Sequence, residues 1–171
     1  MKVLVAYGSK RGGTEGLAHM IGEAFEARGI DADVADAAEV RVVDADEVVV
    51  AGALYAARWH RHARRFVHRH ATVLRTKPVW LVSSGPLDDS AAVGEVLPVG
   101  QVRREMARVA ARGHETFGGR LCSDAKGFPA SAMAKKLSGD WRDAEHVDRW
   151  VEVVAGELLA GSSNRGGATA A

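Results

Sequence analysis

Three short segments built almost wholly from apolar residues, Val3-Leu4-Val5-Ala6, Val48-Val49-Val50-Ala51 and Val79-Trp80-Leu81-Val82, are separated by longer stretches in which apolar residues recur every three or four positions. A strand that is apolar on both of its alternating faces must be covered on both, and helical crossovers between parallel strands provide that cover. This pattern predicts an α/β chain with strands over 2–6, 33–35, 47–52, 78–83 and 116–122. Helical stripes fall between them. Leu17, Ile21, Ala24 and Phe25 end at Gly29; Trp59, Ala63, Phe66, Val67, His70 and Leu74 form a second stripe; 102–112 forms a third, and Val147, Trp150, Val151, Val154 and Leu158 a fourth. The reading is a single domain over 1–160 followed by a flexible tail over 161–171, where Gly, Ser, Ala and Asn replace the apolar period.

Composition removes several alternatives. At 171 residues, 47% hydrophobic and 26% charged, the chain has the profile of one soluble domain. A single cysteine, Cys122, offers neither an internal disulfide nor a cysteine-based zinc site. No apolar run approaches the roughly 20 residues that span a bilayer, and no cleavable leader pattern precedes Val3, so a cytoplasmic protein is expected. The 23 basic and 22 acidic residues nearly cancel, and nothing in this balance points to nucleic acid.

In an open α/β sheet the ligand sits at the carboxyl ends of the strands, whether the sheet is a Rossmann-like half or a flavodoxin-like five-stranded one. Chemistry is therefore sought in the loops after strands one, three and four. The first loop, Gly8-Ser9-Lys10-Arg11-Gly12-Gly13-Thr14, combines small residues and hydroxyls at the start of a helix, the composition of a phosphate cradle. A dinucleotide fingerprint fails because Lys10 stands where its second glycine belongs. A Walker A loop fails because Thr14 occupies the lysine position. A flavin mononucleotide loop needs neither group, and a plain turn with a helix cap is the bland alternative. The third-strand loop, Ala53-Leu54-Tyr55-Ala56-Ala57-Arg58-Trp59, brings two aromatic residues; the fourth-strand loop brings Ser83-Ser84-Gly85-Pro86.

Ser9-Lys10-Arg11-Gly12-Gly13-Thr14 resembles the [ST]-x-x-G-x-T phosphate loop of the flavodoxin family. Gly52-Ala53-Leu54-Tyr55 and Gly139-Asp140-Trp141-Arg142-Asp143 resemble its menaquinone-dependent protoporphyrinogen oxidase branch. The resemblance implies a flavodoxin-like doubly wound sheet of five parallel strands in the order 2-1-3-4-5, with FMN as cofactor. Ser9, Lys10, Arg11, Gly12, Gly13 and Thr14 would hold its phosphate. Ala53, Leu54, Tyr55, Ala56, Arg58 and Trp59 would flank the ring, with Tyr55 and Trp59 stacking on or edging it, and Ser83, Ser84, Gly85 and Pro86 would meet its polar edge. The implied function is an FMN-dependent oxidoreductase passing electrons from an organic donor, with protoporphyrinogen as a candidate, to a quinone-like acceptor. The alternative is an electron-carrier flavodoxin serving protein partners. Carriers of that kind are commonly acidic around the flavin. No separate acid–base or nucleophilic residue is required, because the flavin carries the chemistry.

From Arg58 to Lys77 the chain carries seven basic residues and four histidines without one acid. That imbalance suggests an anionic partner, or peripheral contact with an anionic membrane through Arg61, Arg64, Arg65 and Arg69. A solvated helix face is the plain alternative, and a cofactor-free module that binds an anionic partner is a third functional reading. His60 and His62, like His68 and His70, are two apart and would point to different sides of a helix, so no metal site is expected. The Gly-Asp-Trp-Arg-Asp segment also reads as a helix start capped by Asp140. The stretch 127–137 reads as an insert after strand five, forming a cap, a partner surface or a membrane contact.

Overall fold

The computed structural model describes residues 1–85, 91, 94, 96–121 and 139–166, with side chains through 160. Five parallel strands form the sheet: β1 (Lys2–Gly8), β2 (Asp31–Asp36), β3 (Glu47–Tyr55), β5 (Val79–Ser84) and β6 (Gly113–Phe117), in the order β2-β1-β3-β5-β6. This is the expected doubly wound order. A two-residue strand, β4 (Arg58–Trp59), pairs antiparallel with the end of β3, and β7 (Arg120–Leu121) pairs with β8 (Gly139–Asp140) in a separate ribbon. The helices are α1 (Gly13–Glu26), α2 (Arg61–Arg69), the single turn α3 (Ala71–Leu74), α4 (Gly100–Val109) and α5 (Ala144–Gly166).

Alternation along the strands divides the core in two. Val3, Val5, Val49, Trp80 and Val82 face α1 and α5, where Leu17, Ile21, Phe25, Trp150 and Val154 meet them. Leu4, Ala6, Val48, Val50, Val79 and Leu81 face the other way, against Ala63, Phe66, Val67, Leu74, Val102 and Val109. Helix α1 forms because its apolar residues share one face and ends where Gly29 takes the left-handed conformation at φ 73°.

Several expected boundaries move. The second stripe does not begin a helix at Trp59: that residue belongs to β4, α2 starts after His60, and the helix breaks at His70. The last sheet strand runs from Gly113 to Phe117 rather than over 116–122, because His114 and Glu115 disguise its start. The segment beyond it supplies β7, so the chain leaves the sheet before Cys122, which lies outside the described residues with the proposed insert. Asp140 does not cap α5. Its carboxylate is held by Arg142 in the β7–β8 ribbon, and Asp143 Oδ1 instead accepts from the backbone N–H groups of Glu145 (2.9 Å) and His146 (3.3 Å). Helix α5 continues to Gly166, past the point at 160 where the composition changes.

Candidate functional site

At the carboxyl end of β1 the chain turns through Ser9-Lys10-Arg11 into Gly12, whose φ of 75° is a conformation that a residue with a side chain adopts only at a cost. Ser9 Oγ accepts from the Gly12 N–H at 3.0 Å and so fixes the turn. Gly12 is also the N-cap of α1, and no side chain caps this helix. Its leading amides are the groups that a helix start ordinarily leaves for a side chain, water or an anion. Thr14 is buried in the first turn, while Lys10 is exposed.

The neighbouring wall is a hairpin. β3 continues through Ala53, Leu54 and Tyr55, reverses at Ala56 and Ala57, and returns as Arg58-Trp59, with Tyr55 paired to Arg58. Both alanines have positive φ (47° and 58°), the backbone of a type I′ turn without its usual glycine or asparagine. Two left-handed alanines cost on the order of 1–2 kcal/mol each. Arg11 joins the loop to the hairpin: its Nη1 donates to Tyr55 Oη at 2.8 Å, and its guanidinium lies 5.5 Å from the ring centroid. Tyr55 and Arg58 are exposed at this rim. Below the loop Tyr7 Oη donates to Glu15 Oε1 (3.2 Å), and burial, followed by the Glu15 charge, raises the Tyr7 phenol above its ordinary range.

Trp59 departs from the expectation that it stacks on a ring. It is 2% exposed, its indole N–H donates to Val82 O at 3.2 Å, and its backbone N–H donates to Gln101 Oε1 at 2.7 Å. The indole packs so closely over Gly52 that a Cβ there would fall 2.3 Å from Nε1. Trp59 thus anchors the hairpin from behind. Ser83 departs as well: it is fully buried on the α2–α4 side, with Oγ 2.8 Å from His114 Nε2. Burial lowers the pKa of His114 to about 4, so this imidazole is neutral at ordinary pH. Sequence reading missed this pair because the two residues come from different strands, brought together by the β5–β6 register. Ser84 and Gly85 stand at the strand end, Gly85 N–H donating to Phe117 O at 3.2 Å; Pro86 lies outside the described residues.

His60 closes the floor beside Gly8 and caps α2, its Nδ1 accepting from the His62 N–H at 3.3 Å. Burial first, then the neighbouring His62 and Arg61, lowers its pKa. His62 turns to Asp36 (3.3 Å), and His68 to Glu105 (3.0 Å). No cluster with metal-ligand composition occurs among the described residues.

The profile of the family described as the flavodoxin domain matches residues 4–143. The chain belongs to the flavodoxin domain family. Solved flavodoxins superpose over nearly their whole length. A Streptococcus pneumoniae flavodoxin is 20% identical, with TM-score 0.62 over 92% of this chain and 99% of that one. Oxidised flavodoxin 2 from Bacillus cereus is 15% identical, again with TM-score 0.62 and the same coverage. A flavo di-iron protein from Thermotoga maritima is 14% identical with TM-score 0.61; 92% of this chain covers 35% of that longer one. At these identities the likeness establishes the fold. No curated protein sequence matches the chain. No helix among the described residues is long and apolar enough to cross a membrane.

Proposed function

We propose that this flavodoxin-family chain binds FMN at the carboxyl ends of β1, β3 and β5 and transfers electrons. The observation that carries this reading is the pairing of a glycine-capped helix start with the hairpin wall, joined by the Arg11–Tyr55 hydrogen bond. Ser9, Arg11, Gly12, Gly13 and Thr14 would surround the phosphate, with Lys10 adding charge from outside. Tyr55, Leu54, Ala53 and Ala56 would wall the ring, and Ser84 and Gly85 would meet its polar edge. When bound, the isoalloxazine supplies the redox chemistry. The chain's own residues orient it and shield it from water, and Arg58 places a positive charge at the open rim.

Electron exchange with a protein partner is the finer reading favoured by the exposed hairpin, since Tyr55 keeps 37% of its surface open. Transfer from an organic donor such as a porphyrinogen to a quinone is the second reading, supported by the Gly-Asp-Trp-Arg-Asp segment and the cations next to the hairpin. Purified protein should take up FMN and show the visible absorption of a bound flavin, and Thr14→Ala should abolish retention while leaving the fold intact by circular dichroism. A folded wild-type chain that takes up no FMN overturns the flavin reading. Anaerobic titration separates the finer pair: two one-electron stages support the carrier, and a single two-electron stage the oxidoreductase.

A further inference from the structure

The two helical layers carry opposite charge. Helices α1 and α5 together bear seven carboxylates against two arginines, whereas α2 and α4 bear seven arginines against one carboxylate. That carboxylate, Glu105, is 4% exposed and turned inward, where His68, Arg108 and Arg64 approach it at 3.0, 3.0 and 3.9 Å. The outer surface of the layer is therefore left basic.

The cations are arranged rather than scattered. Arg61, Arg65 and Arg69 are exposed at four-residue intervals, a stripe about 12 Å long on one side of α2. Arg103, Arg104 and Arg108 are exposed on α4, which packs beside it. The stripe starts where the hairpin ends, so Arg58 and the exposed Tyr55 continue it to the rim of the candidate flavin site.

We infer that the α2–α4 layer is the docking surface for an acidic redox protein, which it orients toward the Tyr55 rim; this rests on the proposed flavin site. Arginine rather than lysine suits carboxylate recognition, because its planar fork takes both oxygens. A lipid surface fits less well. Ala63, Phe66 and Val67, the apolar residues of α2, are all buried, and no large hydrophobic residue is exposed on α2 or α4 among the described residues. Helices that lie on membranes insert such a face. The exposed apolar groups near the basic layer lie at its edges, one by one, rather than along its helices: Tyr55, Leu97 on the segment leading into α4, and Val42, two residues past Val40, whose carbonyl accepts from Arg69. Aromatic and arginine residues together are the usual anchors of protein interfaces.

The test measures binding of the FMN-incubated full chain to a plant-type [2Fe–2S] ferredoxin, a small acidic redox protein, and to vesicles of equal parts phosphatidylcholine and phosphatidylglycerol. Ferredoxin should bind with an affinity that falls steeply with added salt. R61E/R65E should weaken it about tenfold or more, as should R103E/R104E on the neighbouring helix. E23K/E152K on the opposite layer should leave it unchanged. Flavin absorption and circular dichroism are read on every variant. A colourless protein that still binds ferredoxin through these arginines removes the flavin reading and keeps the surface. Ferredoxin binding indifferent to both arginine pairs, or absent, overturns the surface, as does vesicle binding without ferredoxin binding.

Discussion

The two faces of the sheet are alike inside and opposite outside. Each buries a continuous apolar cluster centred on the same strands, with a fully buried phenylalanine contributed by a helix, Phe25 on one side and Phe66 on the other. Outside, one layer is acidic and the other basic. Stability and recognition are thus handled by different atoms: the inward stripe of each helix sets the fold, and its outward stripe leaves a charge field that folding does not require. A near-zero net charge conceals this, because the layers cancel in the sum.

The largest effect tests the likeness. Phe25→Ala and Phe66→Ala should each cost about 3–5 kcal/mol in urea unfolding, since each deletes a fully buried ring. A marked inequality would show that one layer is an accessory to the other. Next comes a difference within the core. On the α1–α5 side Glu47 is 1% exposed, its carboxylate near the Trp80 indole N–H but without a well-formed hydrogen bond, and burial, only partly offset by that indole, raises its pKa to about 7. The folded state then holds a proton that the unfolded chain releases, so stability falls as pH rises from about 4.5 to 7. On the α2–α4 side His114 works in reverse: its pKa of about 4 means that the unfolded chain holds the extra proton, and stability rises from about pH 4 to 6.5. Each shift is worth about 3 kcal/mol, with opposite sign. In the wild type these two contributions should largely cancel between about pH 4.5 and 6.5, the overlap of the two windows, leaving the gentler rise with pH that His60 and His70 supply, since burial lowers their pKa values too. Glu47→Gln should expose a rising profile and His114→Gln a falling one, read from chemical denaturation at several pH values. Parallel profiles in the two variants would break the pairing.

How much of this was legible in the sequence depended on whether the cause was local. Strands β1, β3 and β5 were plain because continuous apolar runs leave little alternative, and the phosphate loop was plain because its residues are adjacent. The hairpin was not. Ala56 and Ala57 hold a turn that glycine or asparagine normally announces, so the chain past Gly52 read as a loop and Trp59 as the first residue of a helix, when its indole is in fact inserted beneath the sheet end. The basic stretch was visible in full, but its partial neutralisation was hidden: Glu105 lies more than thirty residues from His68 and meets it only because α2 and α4 pack side by side. For the same reason Arg64, expected on the exposed basic face with Arg61, Arg65 and Arg69, is instead drawn toward that carboxylate.

Glu105 supplies the smallest effect and the sharpest probe of the asymmetry. Its carboxylate is the one acid of the basic layer's helices, and it accepts from Arg108 Nε at 3.0 Å and meets His68 Nε2 at the same distance. Glu105→Gln keeps the shape but presents an amide N–H₂ to these donors, so the folded protein should lose about 2 kcal/mol. Part of that loss is geometric, and part is repulsion among exposed arginines that Glu105 no longer offsets. Salt separates the two, because it screens exposed charges far more than it repairs a buried mismatch. The deficit should therefore shrink as salt is added, through the repulsive part alone. The mirror experiment on the acidic layer is Arg28→Gln, which removes the cation bonded to Asp148 Oδ1 at 2.7 Å. Its deficit should shrink with salt in the same way, since carboxylates are then the groups left to repel. If only one of the two responds to salt, the charge fields of the layers are not equivalent, and the basic face has been shaped by something that the acidic face has not.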